Sequence, residues 1–267
     1  MPLEPWQFVI PEKPGTFWRI GSRFMIIGTG IISRIYLNWA NHFQGHNLDI
    51  LYNAVEKRPP ERPLITVGNH ISCFDPMLWG TLKMKGLGHP HKTRWCPIAS
   101  DITCTKKWHV YFFSLGQGIP VVRGDGVYQH PMDVCIDKLH KGHWVHFFPE
   151  GKVNMNKEFM RLKWGVGRAI AESRVLPLVI PFWHLGMDEV LANHQPYIPK
   201  FGKKITMLIG KPLDFREALQ HLREEARNQK EVDGYYPRRV CGFESQGRGS
   251  TQGQVYLQYL MKDFTLV

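Results

Sequence analysis

The sequence predicts an α/β fold, with a mixed, largely parallel central sheet covered by helices and a membrane-associated helical segment at the N-terminus. Two observations lead to this prediction. From residue 48 onward, helix-like stretches alternate with short apolar strand-like stretches, which is typical of a sheet with helices packed on it. Before residue 48, the chain carries its most membrane-like stretch, in which apolar residues lie beside arginines and aromatic rings.

The N-terminal segment, residues 1–45, is predicted to lie in a membrane interface or to dip into one leaflet. Its uncharged stretch, "FMIIGTGIIS", is ten residues long, whereas a spanning helix needs about 20 apolar residues. Arg19, Arg23 and Arg34 flank the stretch, and such side chains extend to the headgroups. The alternative is an amphipathic helix packed on the domain.

The second region, residues 46–232, is predicted to be the catalytic domain. Its helix-like stretches are, in order, "NLDILYNAVEK", "DPMLWGTLKMK", "DITCTKKWHVYFFSLG", "VYQHPMDVCIDKLHKG", "NKEFMRLKWGVGRAIAES" and "DFREALQHLREEARNQKEV". Between them lie the strand-like stretches "PLITVGN", "RWCPIAS", "GIPVVRG", "HWVHFFPEG", "VLPLVIPFWH" and "KITMLIG". Residues 233–267, rich in Gly, Ser, Gln and Arg, are predicted to form a flexible tail.

The charge balance points to an anionic partner. The chain of 267 residues has a formal charge of +11 and a pI near 9.5. A nucleic acid is disfavoured, because the basic residues are dispersed among apolar runs and no RNP-like or zinc-finger pattern is present. An anionic membrane surface fits better, since each well-placed Lys or Arg contributes about 1 kcal/mol there.

Several common catalytic motifs are missing from the sequence. It contains no G-x-S-x-G elbow, no H-E-x-x-H zinc helix, no P-loop and no G-x-G-x-x-G turn. Serine esterase, zinc protease, nucleotide hydrolase and simple dinucleotide-binding functions therefore lose their main support. We predict no metal and no cofactor.

A histidine and an aspartate stand at one junction between a strand and a helix, in "NHISCFDP". Asp75 precedes Pro76, so Asp75 is expected at the N-cap and Pro76 at the first helical position. His70 then lies in the turn after Gly68, where its imidazole can meet the Asp75 carboxylate. Such a spacing is weak by itself, and a purely structural cap is the alternative.

A histidine held by a carboxylate suits the deprotonation of an attacking alcohol. Imidazole is the usual general base near neutral pH, and the carboxylate selects its tautomer and stabilises the imidazolium that forms. No serine or cysteine nucleophile is needed, because the hydroxyl group of the substrate attacks. The sequence therefore predicts His70 as the base and Asp75 as its partner.

Two further strand ends carry polar residues. "FFPEGKVN" ends a strand with Glu150, Gly151, Lys152 and Asn154, which suit a hydroxylated or phosphate headgroup, and "PVVRGDG" places Arg123 beside glycines as a phosphate contact. Ligand sites in open α/β sheets lie at such strand ends. The alternative for each of these residues is an ordinary turn or surface position with no role in binding.

Together the stretches "NHISCFD", "PVVRGDG", "FPEG" and "VLPLVIP" resemble, in order and spacing, the four motif blocks of the glycerophospholipid acyltransferase family, also called the HX4D family. The resemblance covers roughly residues 1–230. It implies the fold of that family, with His70 as catalytic base and Asp75 as its partner. It also implies that Arg123, Glu150 and Gly151 contact the glycerol–phosphate part of the acceptor.

The sequence around these four blocks is most similar to the branch of the family that works without CoA. The resemblance implies a transacylase that moves acyl chains between phospholipids and lysophospholipids, here phosphatidylcholine and cardiolipin, and so remodels cardiolipin. It implies attachment through the N-terminal segment to mitochondrial membranes facing the intermembrane space, with an oligomer possible. The alternatives are an acyl-CoA-dependent lysophospholipid acyltransferase and a non-catalytic lipid-binding protein.

Overall fold

A computed structural model of the chain describes residues 3–83, 86, 89, 91–158, 160–221 and 224. The predicted tail, residues 233–267, lies outside the described residues, as does most of the last predicted helix. The part of that helix that is described covers residues 216–221 and 224. There Asp214 Oδ1 accepts a hydrogen bond from the backbone N–H of Arg216, at 3.0 Å.

The described residues form one seven-stranded sheet with the order β1-β7-β6-β2-β5-β3-β4. β2, β3, β4, β5 and β6 run parallel to one another, whereas β7 is antiparallel to β6 and β1 pairs parallel with β7. The predicted mixed, largely parallel sheet is therefore confirmed. The strands are β1 His42–His46, β2 Leu64–Gly68, β3 Arg94–Ala99, β4 Gly118–Val121, β5 Trp144–Phe147, β6 Leu178–Leu185 and β7 Lys204–Ile209.

Helices cover both faces of the sheet. Ile65 and Val67 of β2 enter the hydrophobic core on one face, and Leu64 enters the core on the other, as the alternation of a strand requires. The α-helices are α1 Thr16–Ile35, α2 Leu48–Glu56, α3 Ser100–Thr103, α4 Lys107–Leu115, α5 His130–His140, α6 Gly165–Glu172 and α7 Met187–Val190. A π-helical turn, Tyr36–Ala40, continues α1, and two 3₁₀ helices cover Pro5–Gln7 and Asp75–Thr81.

Three of the predicted helices differ from the structure. The stretch after the His70 turn is a 3₁₀ helix, Asp75–Thr81. The helix predicted over residues 101–116 is two helices, α3 and α4, because the backbone leaves helical geometry at Cys104 and is extended at Lys106. The helix predicted from residue 156 begins only at Gly165, since Lys163 donates its backbone N–H to Pro149 and stays in a loop.

The strand β1 was missed by the sequence reading. Its residues, "HFQGH", contain no β-branched side chain, and its burial alternates between exposed and intermediate. It lies at the edge of the sheet beside β7, where backbone pairing and the partly buried Phe43 hold it. The predicted boundary between residues 45 and 46 falls inside this strand.

α1 is attached to the domain at several points along its length. Ser22 Oγ donates to the Leu115 carbonyl of α4 at 2.7 Å, and Ser33 Oγ lies 3.1 Å from the sulfur of Met77 in the 3₁₀ helix. Beyond α1, the Tyr36 hydroxyl donates to the Lys200 carbonyl at 2.7 Å. The continuous helix over residues 16–40 is long and apolar enough to cross a membrane by length and composition alone.

A stability prediction concerns Gly142, at the turn between α5 and β5. Its φ is +72°, and a Cβ there would overlap the carbonyl oxygen of Pro60. Gly142→Ala is expected to lower the free energy of unfolding by about 3 kcal/mol, because steric overlap adds to the cost of left-handed backbone. Thermal or urea unfolding measures the loss.

The matched control is Gly202→Ala. Gly202 has a φ of +69°, but a Cβ there would meet no atom within 4 Å. In this variant the free energy of unfolding is expected to fall only by the cost of the left-handed backbone, about 1–2 kcal/mol. Equal losses in the two variants would show that the contact with Pro60 contributes nothing.

Candidate active site

The turn after β2 brings His70 and Asp75 together, as their spacing predicts. His70 Nδ1 lies 2.8 Å from Asp75 Oδ2. The same oxygen accepts the backbone N–H groups of Ile71 at 2.9 Å and Ser72 at 3.1 Å. Asp75 therefore closes the turn that carries His70.

The predicted N-cap role of Asp75 is wrong. The 3₁₀ helix begins at Asp75 itself, with Phe74 in the capping position, and no side chain caps it. The carboxylate turns back instead, because the preceding turn offers it two backbone donors and an imidazole. All three donors contact Oδ2, and the other oxygen, Oδ1, is buried without a hydrogen-bond partner, so it does not cap the helix that follows.

The contact with Asp75 assigns the tautomer of His70. A carboxylate accepts hydrogen bonds, so Nδ1 carries the proton and the lone pair of Nε2 remains available. The imidazole stacks on Phe148, with ring centroids 4.1 Å apart and planes 17° from parallel. Its side chain is 18% exposed, so a reacting group can approach a base whose orientation is fixed on two sides.

A second histidine contacts the same carboxylate. His184, at the end of β6, is fully buried, and its Nε2 lies 3.5 Å from Asp75 Oδ2. Burial alone would raise the pKa of Asp75, but the hydrogen bonds and charges of His184 and His70 outweigh it and hold that pKa below its ordinary value. Asp75 is therefore ionised at neutral pH.

Asn69 fastens the His70 turn to β6. Its Nδ2 donates to the His184 carbonyl and its Oδ1 accepts the His184 N–H, both at 2.9 Å. His184 Nε2 lies 2.9 Å from the Asn69 carbonyl oxygen, so two residues share three hydrogen bonds. Sequence reasoning missed both residues. A usable signal was that His184 ends a predicted strand and that parallel strands end at one edge.

Glu150 and Asn154 hold the backbone of His70. Glu150 Oε1 accepts the His70 N–H at 3.2 Å, and the Asn154 N–H donates to the His70 carbonyl at 2.6 Å. Both side chains are buried, and burial raises the pKa of Glu150. The headgroup contact predicted for these two residues stays a prediction, and the contact that the structure shows is with the main chain of the turn.

Gly151 and Lys152 follow Glu150 and are exposed. The Gly151 N–H donates to the Phe148 carbonyl at 3.1 Å, which closes a tight turn directly after β5. Lys152 thus stands on the surface next to the loop that supports His70. It remains a candidate contact for an anionic headgroup.

Arg123 lies at the same edge of the sheet but not beside His70. It follows β4, which is three strands from β2, so roughly 14 Å separates the two strand ends. Its guanidinium is ion-paired with Asp101, at the start of α3, and both side chains are about half exposed. The structure thus brings His70, Asp75, Glu150 and Asn154 together and leaves Arg123 apart from them.

The described part of the chain contains no candidate metal site. There, no three His, Cys, Asp or Glu side chains are grouped so that they could hold a metal ion.

Comparison with known proteins places this site in a family. A family model described as Acyltransferase matches residues 49–184, which include the His70 turn, the loop after β5 and His184. The chain belongs to the acyltransferase family. The family resemblance of the four motif blocks is thereby confirmed.

The relatives of this acyltransferase include one protein that is named for a lipid. Tafazzin from Drosophila melanogaster is 46% identical over 220 residues, which are 82% of this chain. N-acylphosphatidylethanolamine synthase from Arabidopsis thaliana is 37% identical over 198 residues, which are 72% of this chain and 70% of that protein. The chain spans 58% of the length of the Drosophila tafazzin.

The fold of this acyltransferase also occurs in a crystal structure. The 1-acyl-sn-glycerophosphate acyltransferase PlsC from Thermotoga maritima matches with a TM-score of 0.52 over 82% of this chain and 83% of that chain. The sequences are 18% identical, so the likeness concerns the fold.

Proposed function

We propose that this acyltransferase moves a fatty acyl chain from a phospholipid to a lysophospholipid without CoA, and that it remodels cardiolipin in mitochondrial membranes. The observation that carries the proposal is the contact of 2.8 Å between His70 Nδ1 and Asp75 Oδ2, which leaves His70 Nε2 free as a base. The 46% identity to a tafazzin supports the choice of a transacylase.

In the proposed reaction, the hydroxyl group of the lysophospholipid attacks the carbonyl carbon of the donor ester. His70 Nε2 takes the hydroxyl proton as the new C–O bond forms, and Asp75 stabilises the resulting imidazolium. The tetrahedral intermediate then breaks the bond to the donor glycerol oxygen, and His70 returns the proton to that oxygen. A new phospholipid and a new lysophospholipid result, and His70 is restored.

The other residues divide into two groups in this proposal. Glu150 and Asn154 position the base, because they hold the His70 backbone from both sides. Lys152 and Arg123 stand at the sheet edge as candidates for the acceptor phosphate, with Arg123 exchanging Asp101 for it. The acyltransferase domain of the proposal comprises residues 46–232.

Residues 1–45 would hold this domain on the membrane without crossing it. α1 is joined to α4 through Ser22 and to the 3₁₀ helix through Ser33. If α1 spanned the bilayer, it would take both partners into the hydrocarbon with their polar surface. A helix lying in the interface of a mitochondrial membrane, facing the intermembrane space, avoids that cost.

Acyl exchange between labelled lipids tests the proposal. Purified full chain is added to vesicles that contain phosphatidylcholine with a labelled acyl chain and monolysocardiolipin, with no CoA present. We expect label to appear in cardiolipin and lysophosphatidylcholine to accumulate in equal amount. Heat-inactivated protein is the control.

Two added arms separate the alternatives. Transfer that occurs only after acyl-CoA is supplied would show an acyl-CoA-dependent lysophospholipid acyltransferase. Vesicle binding without turnover in either arm would show a lipid-binding protein and overturn the proposal.

A further inference from the structure

A second apolar surface lies on α3 and α4, outside the predicted N-terminal segment. We define the α4 surface as four exposed side chains: Ile102, Trp108, Tyr111 and Phe112. Trp108 is 63% exposed and Tyr111 is 52% exposed. Contiguous exposed apolar patches of this kind mark interaction sites in soluble proteins.

α4 is apolar on its outer as well as its inner face. Val110 and Ser114 are buried against the domain, so the inner face is already occupied. The outer face then presents aromatic rings where a surface helix normally carries charged side chains. Packing among the described residues leaves these rings exposed.

The chemistry around the α4 surface fits a phospholipid bilayer. Lys106 and Lys107 are exposed at the start of α4, next to Trp108. Tryptophan and tyrosine favour the headgroup level of membranes, and adjacent lysines favour anionic lipids. A protein partner would be expected to bury these rings in a shaped pocket rather than beside a pair of lysines.

The helix that carries the α4 surface packs directly against α1. The hydrogen bond from Ser22 Oγ to the Leu115 carbonyl joins the two helices. On α1, Phe17 and Phe24 are more exposed than any ring on α4. Two joined helices with apolar outer faces can enter the same interface together.

We propose that the α4 surface lies in the headgroup layer of an anionic phospholipid bilayer, as a second contact beside α1. α3 begins directly after β3, and Asp101 at its start pairs with Arg123 after β4. The α4 surface thus borders the sheet edge at which the parallel strands end, the edge that carries His70. The bilayer then meets the chain beside the site, so a lipid reaches it without crossing bulk water. This inference rests on the proposed function only in taking the lipid as substrate.

Vesicle co-sedimentation of the full chain tests the α4 surface. The variant is Trp108→Ser with Tyr111→Ser, and the vesicles contain phosphatidylcholine with cardiolipin. We expect the coefficient for partition of the protein from water to vesicles to fall at least about tenfold, because the transfer of two aromatic rings into the bilayer is lost. Val175→Ser is the control, since Val175 is exposed just before β6 at the opposite edge of the sheet, and it should bind like wild type.

The lysines supply a second, independent variant. Lys106→Ala with Lys107→Ala is expected to weaken binding about tenfold to cardiolipin-containing vesicles and little to vesicles of phosphatidylcholine alone. Melting temperatures confirm that each variant is folded. Binding of the ring variant within about twofold of wild type would overturn the proposal.

A comparison of two substrate forms separates this inference from the proposed function. With lipids dispersed in detergent micelles, the ring variant should exchange acyl chains at the wild-type rate, and with vesicles it should be slower. If wild type exchanges nothing in either form while vesicle binding still depends on Trp108 and Tyr111, the α4 surface stands and the proposed function fails. Equal loss in micelles and vesicles would contradict the membrane role.

Discussion

Replacing His70 with alanine is expected to lower the rate of acyl exchange at least about 100-fold. The imidazole is held by Asp75 on one side and Phe148 on the other, and its Nε2 is the group proposed to take the acceptor proton. The other ionised group of that turn, Asp75, is fully buried and cannot take its place. Initial rates of label transfer between phosphatidylcholine and monolysocardiolipin measure the effect.

Two controls accompany this variant. His46→Ala changes an exposed histidine on the edge strand β1 and should leave the rate unchanged. His70→Asn retains an N–H that can donate to Asp75 while removing the base, so it should be as inactive as His70→Ala but more stable. A rate for His70→Ala within about threefold of wild type would exclude the general-base role.

Replacing Asp75 with asparagine is expected to lower the rate about 10²–10⁴-fold. The asparagine oxygen would have to take the place of Oδ2, because the backbone N–H groups of Ile71 and Ser72 and the His70 ring all donate there. His70 would keep its tautomer, but the negative charge that stabilises the imidazolium would be lost. The loss should therefore appear in kcat more than in KM for the lysophospholipid.

Asp49→Asn is the matched control, because Asp49 is exposed in the first turn of α2. The Asp75 carboxylate also receives the backbone N–H groups of Ile71 and Ser72, so unfolding curves must be recorded for both variants. A folded Asp75→Asn variant that keeps more than about a third of the wild-type rate would show that the carboxylate has only a structural role.

Much of the fold could be predicted because local patterns encode it. β2, β5 and β6 read as short apolar runs between turn residues, and they are the buried centre of the sheet. β1 could not be predicted in this way, because an edge strand of mostly polar residues is held by backbone pairing with β7. The helix was predicted to begin at residue 156, yet the backbones of Glu158 and Lys163 form hydrogen bonds with the loop after β5.

The candidate site divides in the same way. His70 and Asp75 are five residues apart, and a local strand, turn and proline predicted their contact. His184 and Asn69 are 115 residues apart, and the three hydrogen bonds between them depend on β6 lying beside β2. Glu150 and Arg123 looked alike in sequence, as polar residues after strands. The strand order separates them, because β5 adjoins β2 and β4 does not.

The sequence by itself determined the α/β class, the basic charge, the apolar N-terminal segment and the pairing of His70 with Asp75. Each of these depends on composition or on residues within one turn of chain. Only the tertiary structure decided that His184 contacts Asp75, that Glu150 supports the His70 backbone and that α4 presents its rings beside α1. Those contacts join residues far apart in the chain, and strand order and helix packing, which local periodicity does not encode, bring them together.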